Sequence, residues 1–288
     1  MRLNIIGAGH VGRTLGRLFR DNGLCEIGDI LNRSQQNAEA AAAFIGGGRP
    51  ISDSGELTSA DTWMISASDP AIYPLALELA QTGAAPPGTI AFHCSGGVSS
   101  TALGPLSDAG IATCAIHPVK SFADPQACIE TFAGTFCGAE GEDRALDVVG
   151  NLFERCGATI FLLKTEDKEI YHAATVFVCN YLTTVLDAGL KCFEQAGVDR
   201  PTALAVMGPL VMETVRNNME HGPEVSLTGP IARGDPDLVR KHIAILAQWD
   251  GDVLALYREL AKATLDISRR KGAANATDLE AVRTLLER

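Results

Sequence analysis

Three polar side chains that could donate or orient a proton lie at multiples of four residues in the second half of the chain: Lys168, His172 and Asn180. Residues four apart lie on one face of an α-helix, so all three would share a stripe with Val176 between them. A histidine titrates near neutral pH, a lysine is a cationic donor, and an asparagine amide can orient a substrate. The pattern predicts a proton-transfer site in which either His172 or Lys168 is the acid.

Each of these candidate catalytic residues also has a plainer explanation. Lys168 stands among acidic residues and could simply belong to the charged start of a helix. His172 could be a hydrogen-bonded core histidine. Asn180 interrupts an apolar run, where a buried amide is costly unless it is paired, so it is either functional or a link between helices.

A second chemical signal comes at the start of the chain, where the apolar segment 2–6 runs into a G-x-G-x-x-G turn. These glycines permit a sharp turn, close approach of a pyrophosphate and tight helix–strand packing, and the following helix directs its positive end at phosphate. An ordinary glycine-rich turn is the alternative, but a strand before the motif and an amphipathic run after it favour a dinucleotide-binding unit. The predicted cofactor-binding residues here are Gly7, Ala8, Gly9, His10, Val11 and Gly12.

The residues after the second predicted strand, 26–31, bear on which dinucleotide is bound. NAD-binding proteins usually place Asp or Glu there, whereas this chain has Asn32, Arg33 and Ser34. A guanidinium can pair with the 2′-phosphate of NADP and the other two side chains can donate hydrogen bonds to it, so NADP is predicted over NAD. Two alternatives stay open: Asp29 could reach the ribose if the strand ends earlier, and Arg33 could be a solvated surface residue.

Composition narrows the functional class. The 288 residues include 24 basic and 35 acidic side chains, and this net charge of −11 argues against nucleic-acid or anionic-membrane binding as the main task. The eight cysteines are scattered, without C-x-x-C or a histidine cluster, and predict reduced thiols and no metal site. With neither a signal peptide nor an uncharged apolar run long enough to span a bilayer, we expect a cytoplasmic protein.

Strands and helices alternate through the first half of the chain, which predicts an α/β fold with a doubly wound, mostly parallel Rossmann sheet. In such sheets ligands bind beyond the carboxyl ends of the strands. One strand end supplies the cofactor-binding candidates Ser66, Ala67, Ser68 and Asp69, and a later one supplies Ser95. His117 ends a further strand and is either a substrate-binding residue or a turn residue before Pro118. The predicted strands are 2–6, 26–31, 63–67, 89–94, 111–116, 135–138 and 159–163.

Only helical patterns follow Lys164, so we predict a dinucleotide-binding domain over residues 1–164 and an all-α domain over 165–288. The long helix predicted over 166–196 is apolar on nearly every side and must be surrounded. Because the small domain can hardly cover it alone, we predict a homodimer. Further helices are expected from Pro201 to about 217–218, from Asp235, over 252–271, and after a capping box of Thr277 and Glu280.

The loop 226–235 combines glycines, a proline and polar side chains just before Asp235. It could be only a helix entry in which Asp235 caps the helix and Pro236 takes its first position. Capping needs neither Thr228 nor Arg233, however, and a guanidinium suits a carboxylate. We therefore predict Thr228 and Arg233 as substrate-binding residues for an acidic group.

Several of these segments together resemble a known family: the glycine motif, residues 32–34, the turn 68–70, His117-Pro118, the segment 171–174 and above all 228–235, T-G-P-I-A-R-G-D. The chain is similar over nearly its whole length to the Rossmann-like family with domain of unknown function 2520. That family is similar in layout to pyrroline-5-carboxylate reductases, ketopantoate reductases and β-hydroxyacid dehydrogenases. The resemblance implies an NADP-dependent oxidoreductase whose helical C-terminal domain dimerises, with no settled substrate.

The resemblance also bears on the catalytic candidates. Ketopantoate reductases and β-hydroxyacid dehydrogenases place a catalytic lysine and an amide residue four positions later at the start of the interdomain helix. Lys168 matches the first position, but His172 occupies the second. The leading hypothesis is an NADP-dependent reductase or dehydrogenase of a small carbonyl or imine carrying a carboxylate, and a deazaflavin is a further possible cofactor. The alternative is a non-catalytic protein that binds or senses NADP(H).

Overall fold

The computed structural model describes residues 1–287. They form two compact units, Met1–Asn180 and a second that begins at Tyr181. Along the chain, the boundary between the units thus falls inside the helical run that follows Lys164 and not at its start. The first turns of that run belong to the unit that contains the sheet. The first unit contains the predicted dinucleotide-binding motif, and the second contains helices without a sheet in its described part.

The first unit is built on one eight-stranded sheet with strand order β3-β2-β1-β4-β5-β6-β7-β8. All neighbouring strands are parallel except β7, which runs antiparallel to β6. This confirms the predicted mostly parallel, doubly wound sheet. The short edge strand β3 was not predicted. The strands are β1 Arg2–Ile6, β2 Glu26–Leu31, β3 Arg49–Ile51, β4 Thr62–Ile65, β5 Ile90–His93, β6 Ala112–Pro118, β7 Phe136–Gly141 and β8 Thr159–Leu162.

Helices cover both faces of this sheet, which explains why its central strands are almost continuously apolar. On one face Phe153 contacts Phe19, Phe92 and Phe132 at ring-centroid distances of 5.4, 6.2 and 6.4 Å. On the other face the fully buried Trp63 anchors a second cluster. The helices of this unit are α1 His10–Asp21, α2 Gln35–Ile45, α3 Asp69–Thr82, α4 Gly104–Asp108, α5 Pro125–Glu130, α6 Asp143–Arg155 and α7 Lys168–Val176.

After α7 the chain stays helical, but through a π turn, Phe177–Tyr181, before α8, Leu182–Gln195. The predicted helical stretch therefore exists. The prediction that Lys168, His172 and Asn180 share one stripe is wrong, because a π turn takes more residues than an α turn and shifts every later residue around the axis.

The helical run Thr165–Gln195 has 31 residues, and an 18-residue window within it has a mean hydropathy of 1.3, enough by length and composition to cross a bilayer. The expectation that the chain lacks such a run is wrong on those two criteria. A single helix of this kind is weak evidence of a membrane span, because apolar helices of soluble proteins meet the same criteria. Its exposed apolar side chains include Ile170, 70% exposed, and Val178, 71% exposed.

The second unit is helical throughout its described residues, with a small core that includes Ile231, Val239, Leu265 and Val282. Asp235 accepts a hydrogen bond from the backbone N–H of Leu238 at 3.0 Å, as predicted for a helix cap. Its helices are α8 Leu182–Gln195, α9 Arg200–Ser226, α10 Pro230–Arg233, α11 Pro236–Trp249, α12 Gly251–Lys271 and α13 Ala276–Leu286.

Two predicted helix ends in this unit are wrong. Helix α9 consists of two helical segments separated at Gly222, whose φ of +78° is left-handed, and the first segment continues past the asparagines at 217–218. Helix α13 is capped by Asn275, whose side chain accepts from the backbone N–H of Thr277 at 2.9 Å. The expected capping box of Thr277 and Glu280 does not form, because Glu280 pairs with Arg283 instead.

Candidate functional site

A cavity of about 720 Å³ lies beyond the carboxyl ends of β1, β2 and β4, where the predicted dinucleotide site should be. Most of the predicted cofactor-binding residues line it: Gly7, Ala8, Gly9, His10, Asn32, Arg33, Ser66, Ala67 and Ser68. It also contains polar residues that the sequence did not single out, namely Arg13, Asn37, Ser52, Ser54 and Glu78.

The three motif glycines differ in what surrounds them. A Cβ on Gly7, at a left-handed φ of +82°, would lie 3.0 Å from the backbone of Ala67, and a Cβ on Gly12 would collide with Ser66 Oγ. A Cβ on Gly9 would meet no atom within 4 Å. Gly7 and Gly12 are therefore required by the fold. Gly9 leaves open space at the N-terminus of α1, as close approach by a pyrophosphate requires.

Asp29, inside β2, and Arg33, just after β2, are the two candidate contacts to the adenosine ribose, and their surroundings differ. Asp29 is fully buried and accepts from Arg49 Nε at 2.8 Å and from the backbone N–H and hydroxyl of Thr58, both at 2.7 Å. Burial acts to raise its pKa, but these hydrogen bonds and the Arg49 charge outweigh burial and lower the pKa overall. Asp29 is thus committed to holding β3 and the following loop.

Arg33 is exposed, lines the cavity, and makes no hydrogen bond or ion pair with any side chain or backbone group in residues 1–287. Its neighbours are partly engaged. Asn32 Nδ2 donates to the carbonyl of Asn37 at 3.2 Å, and Ser34 Oγ accepts from the N–H of Asn37 at 3.3 Å as the cap of α2. Ser34 does not line the cavity, because capping turns its hydroxyl toward the helix.

A second cavity of about 290 Å³ adjoins the first, since Ser66 and Ala67 line both. It lies beyond the carboxyl ends of β5 and β6. The predicted residues Val11, Asp69, Ser95, His117 and His172 line it, together with Cys94, Gly96, Pro118, Lys120 and Phe122. No three His, Cys, Asp or Glu side chains converge as a metal site anywhere in residues 1–287.

His117 and Tyr171 form a hydrogen-bonded pair at this cavity, with 2.9 Å between Nδ1 and the phenol oxygen. Burial lowers the pKa of His117 to about 4, and the nearby charges of Lys168 and His172 act in the same direction. Burial raises the pKa of Tyr171 to about 12. Both groups are therefore neutral at pH 7. The ring of His172 lies 6.2 Å from that of His117, centroid to centroid.

The loop between β5 and the next helical turn supports both rings. A Cβ on Gly96 would lie 2.7 Å from His172 Cδ2 and 2.8 Å from His117 Cε1, so only glycine lets the loop pass between them. Beneath the loop, the fully buried His93 accepts from the N–H of Ser95 at 3.2 Å and donates to the carbonyl of Ser99 at 3.1 Å. Burial lowers the pKa of His93 to about 4.

Lys168 does not line either cavity. It is fully buried, with Nζ 3.4 Å from Glu140 Oε1. Glu140 also accepts from the Ser100 N–H at 2.8 Å, the Ser100 hydroxyl at 2.7 Å and the Thr165 hydroxyl at 3.0 Å. The Lys168–Glu140 pair therefore links β7 to the start of α7 and to Ser100, which follows the loop that contains Gly96.

The pKa values of this pair are both lowered. Burial acts to raise the pKa of Glu140, but the Ser100 and Thr165 hydrogen bonds and the Lys168 charge outweigh it. Burial lowers the pKa of Lys168, and Glu140 offsets only part of that effect. A carboxylate inside the apolar strand 136–141 is the signal that could have revealed Glu140 from the sequence.

The remaining predicted site residues lie elsewhere. Asn180 is exposed in the π turn and does not line the cavity that contains His172. Thr228 and Arg233 belong to the second unit and are exposed in the predicted loop 226–235, where Thr228 precedes α10 and Arg233 is its last residue. That loop is anchored by α12, where Lys271 Nζ donates to the Leu227 carbonyl at 2.9 Å and Ser268 donates to the Ile231 carbonyl at 3.1 Å.

Comparisons with known proteins agree with this architecture. Residues 1–118 match the Rossmann-like domain model, and residues 135–264 match the model described as domain of unknown function (DUF2520). No curated protein sequence gives a significant match.

Solved structures share the fold over the whole chain. A Thermotoga maritima protein is 25% identical, covering 93% of this chain and 99% of its own, with a TM-score of 0.71. An imine reductase from Myxococcus stipitatus in complex with NADP⁺ is 14% identical, covering 100% of both chains, with a TM-score of 0.66. Plasmodium falciparum pyrroline carboxylate reductase with NADP bound is 12% identical, covering 100% of this chain and 96% of its own, with a TM-score of 0.57.

Proposed function

Because the chain joins a Rossmann-like domain to a DUF2520 domain, we propose that it is an NADP-dependent oxidoreductase acting on a small carbonyl or imine substrate that carries a carboxylate. The observation that carries this proposal is the adjoining pair of cavities at the carboxyl edge of the sheet. One contains an unobstructed glycine turn and an unpaired arginine, and the other contains two histidines.

The first cavity fits a phosphorylated dinucleotide. The open space at Gly9 and the N-terminus of α1 would hold the pyrophosphate, and Arg33 would pair with the 2′-phosphate. With Asp29 committed elsewhere, no carboxylate at the end of β2 opposes that phosphate. Solved structures of the same fold with NADP bound support the choice of cofactor.

When bound, the nicotinamide would supply or accept a hydride. The chain must then move one proton and hold the reacting group. Among the three catalytic candidates His172 is our first choice for the proton, since it lines the cavity. His117 would orient the substrate. Lys168 would act through Glu140, as a positioning residue. Asn180 stays a proposed catalytic residue, and Thr228 and Arg233 stay proposed contacts to the substrate.

We also propose that the protein works as a homodimer in the cytoplasm. Exposed apolar side chains occur on both units: Leu162, Ile170 and Val178 in the first, and Leu210, Met212 and Met219 in the second. A second copy covering such faces would remove them from water. Light scattering should give twice the chain mass at micromolar concentration, and a monomer would contradict the proposal.

Coenzyme titration of Arg33→Ala tests the central claim. Losing a charge-assisted contact of about 1.5–3 kcal/mol should weaken NADPH binding by about 10- to 100-fold and leave NADH binding unchanged. Arg155→Ala is the matched control, because Arg155 is exposed at the end of α6. A wild-type protein that binds neither coenzyme would refute the proposal.

Turnover is tested separately with NADPH and a panel of keto acids, aldehydes and cyclic imines, in wild type and in His172→Ala. Arg233→Ala should raise KM for an acidic substrate without weakening NADPH binding. Tight NADPH binding with no turnover on any compound would favour the non-catalytic sensor.

A further inference from the structure

The hydrogen bond between Tyr171 and His117 determines which nitrogen of His117 carries the proton. The Tyr171 hydroxyl has no other partner in residues 1–287, so its hydrogen is used only if it donates to His117 Nδ1. A neutral imidazole that accepts at Nδ1 carries its hydrogen on Nε2. The pKa values of both groups keep this neutral pairing at pH 7.

That Nε2–H faces the second cavity beside Gly96, and no group in residues 1–287 accepts it. Ser95 provides a second donor on the same wall. Its Oγ accepts from the N–H groups of Gly97 at 3.2 Å and Val98 at 3.0 Å. With its lone pairs occupied by the loop, the Ser95 hydroxyl hydrogen remains available to the cavity. Two neutral donors thus face a common space.

Extending the proposed function, on which this step rests, we propose that the second cavity selects carbonyl substrates over iminium ions. A carbonyl oxygen accepts hydrogen bonds from both donors and accepts more strongly as it becomes an alkoxide. The nitrogen of a protonated C=N group has no lone pair and is itself a hydrogen-bond donor. It could not accept from His117 Nε2–H or from the Ser95 hydroxyl, and its own hydrogen would be repelled by theirs. His117 is the orienting donor and Tyr171 its positioning residue.

The reaction balances without a further reagent. A reduced dinucleotide bound in the first cavity would supply the hydride for the new C–H bond, and the C=O π electrons would move to oxygen. There Nε2–H of His117 and the Ser95 hydroxyl stabilise the developing charge. A proton from His172 then forms the O–H bond, and His172 is reprotonated from solvent. The carbonyl is reduced to an alcohol and the dinucleotide is oxidised.

Charges around the cavity do not favour a cation. Asp69 is the carboxylate on its lining, but it is exposed and therefore strongly screened by water. Lys120 lines the same cavity, and Lys168 lies close enough to lower the pKa of His117. Because Lys168 is paired with Glu140, the other charges that an iminium ion would meet are those of Lys120, the screened Asp69 and His172 before it gives up its proton.

The His117 tautomer can be measured without any substrate, by long-range ¹H–¹⁵N NMR correlations of the histidine rings in the free protein. We expect Nε2–H for His117 in the wild type and a mixture with Nδ1–H in Tyr171→Phe, which removes only the hydroxyl. Tyr257→Phe is the matched control, because Tyr257 pairs with His242 in the second unit at 3.1 Å. Nδ1–H in the wild type would overturn the proposal whether or not the protein binds coenzyme.

The substrate test uses two acids with the same number of carbons, α-ketovalerate and the cyclic imine pyrroline-2-carboxylate, with NADPH. We expect kcat/KM at least tenfold higher for the ketone. Tyr171→Phe should lower kcat for the ketone about tenfold with little change in KM, since one net hydrogen bond is lost from the transition state. Preference for the imine would overturn the proposal.

If neither acid turns over, the same spectra are recorded on the NADP⁺ complex with oxamate, whose carbonyl can accept, or proline, whose ammonium cannot. We expect oxamate to shift the His117 Nε2 resonance and proline to leave it unchanged. The opposite result would overturn carbonyl selection. Absence of coenzyme binding in the Arg33 titration would instead refute the proposed function, so the two failures are distinguishable.

Discussion

Lys168→Met should destabilise the first unit strongly, because Lys168 and Glu140 form a buried ion pair with 1% of each side chain exposed. At their 3.4 Å separation the gross attraction is about 5 kcal/mol for an effective dielectric constant of about 20. Desolvating each ion costs several kcal/mol, so the intact pair makes almost no net contribution to the free energy of unfolding. Removing one partner is different, because the other charge stays buried alone.

The two single substitutions should differ in cost. After Lys168→Met, Glu140 keeps its bonds from Ser100 and Thr165, so we expect the low end of the range for broken buried pairs, about 3 kcal/mol. After Glu140→Gln, Lys168 loses its counter-charge. Deprotonating it from a pKa of 10.5 at pH 7 limits that cost to about 5 kcal/mol. The double variant should be less destabilised than the sum by about 2–3 kcal/mol.

Tryptophan fluorescence can follow the unfolding of each unit separately, because the chain has two tryptophans and one lies in each unit: Trp63 in β4 and Trp249 in α11. In a Trp249→Phe background, Trp63 fluorescence reports urea and thermal unfolding of the first unit alone. A loss of about 3 kcal/mol corresponds to a fall in Tm of about 6–12 °C. Lys164→Met is the matched control, because Lys164 is exposed, and it should change stability by less than about 0.5 kcal/mol.

Stability within about 0.5 kcal/mol of wild type for Lys168→Met, or strict additivity in the double variant, would refute the argument. The pH dependence is a further check. The pKa of Glu140 is lowered on folding, so its contribution is complete above the unfolded value of 4.5 and is lost as the pH falls through the folded pKa. Unchanged stability with complete loss of turnover would instead restore a direct catalytic role for Lys168.

Three other perturbations have defined outcomes. Gly9→Ala should leave Tm unchanged and weaken dinucleotide binding in a coenzyme titration. Gly12→Ala should lower Tm, because its Cβ collides with Ser66. The reverse pattern would be inconsistent with a phosphate site at Gly9. Asp29→Asn should cost about 1–3 kcal/mol in urea unfolding without altering the preference for NADPH over NADH. The pKa of His93 is about 4 in the folded protein and 6.5 in the unfolded chain, so between these pH values the folded protein binds fewer protons. The free energy of unfolding should therefore fall by up to about 3 kcal/mol as the pH drops from 6.5 to 4. His93→Gln should flatten that slope, and an unchanged slope would count against the burial argument.

The dinucleotide cavity is the part of the site that the sequence predicted best. Its residues come from short segments in which strand, glycine turn and helix follow one another, so local spacing already specifies the shape. The strand ends at Ser66 and Ser95 were found for a related reason, because parallel strands bring their carboxyl ends to one edge. Two of the predicted cofactor-binding residues fall outside the cavity linings: Ser34, which caps α2, and Gly12, which packs closely against Ser66.

The prediction that Lys168, His172 and Asn180 share one face failed because it assumed a uniform α-helix. The π turn shifts Asn180 off the stripe, and burial takes Lys168 away from the cavity. Neither effect has a signature in four-residue spacing. Both depend on what packs against the helix.

The sequence by itself determined the alternating fold, the phosphate-binding turn and an arginine where a carboxylate would otherwise stand, because these depend on neighbours within a few residues. Tertiary structure alone decided that Glu140 meets Lys168, 28 residues away, and that Tyr171 meets His117 across 54 residues. Such pairs form only when β6, β7 and α7 are assembled. Burial then shifts their pKa values and fixes the position of their protons, which no local pattern records.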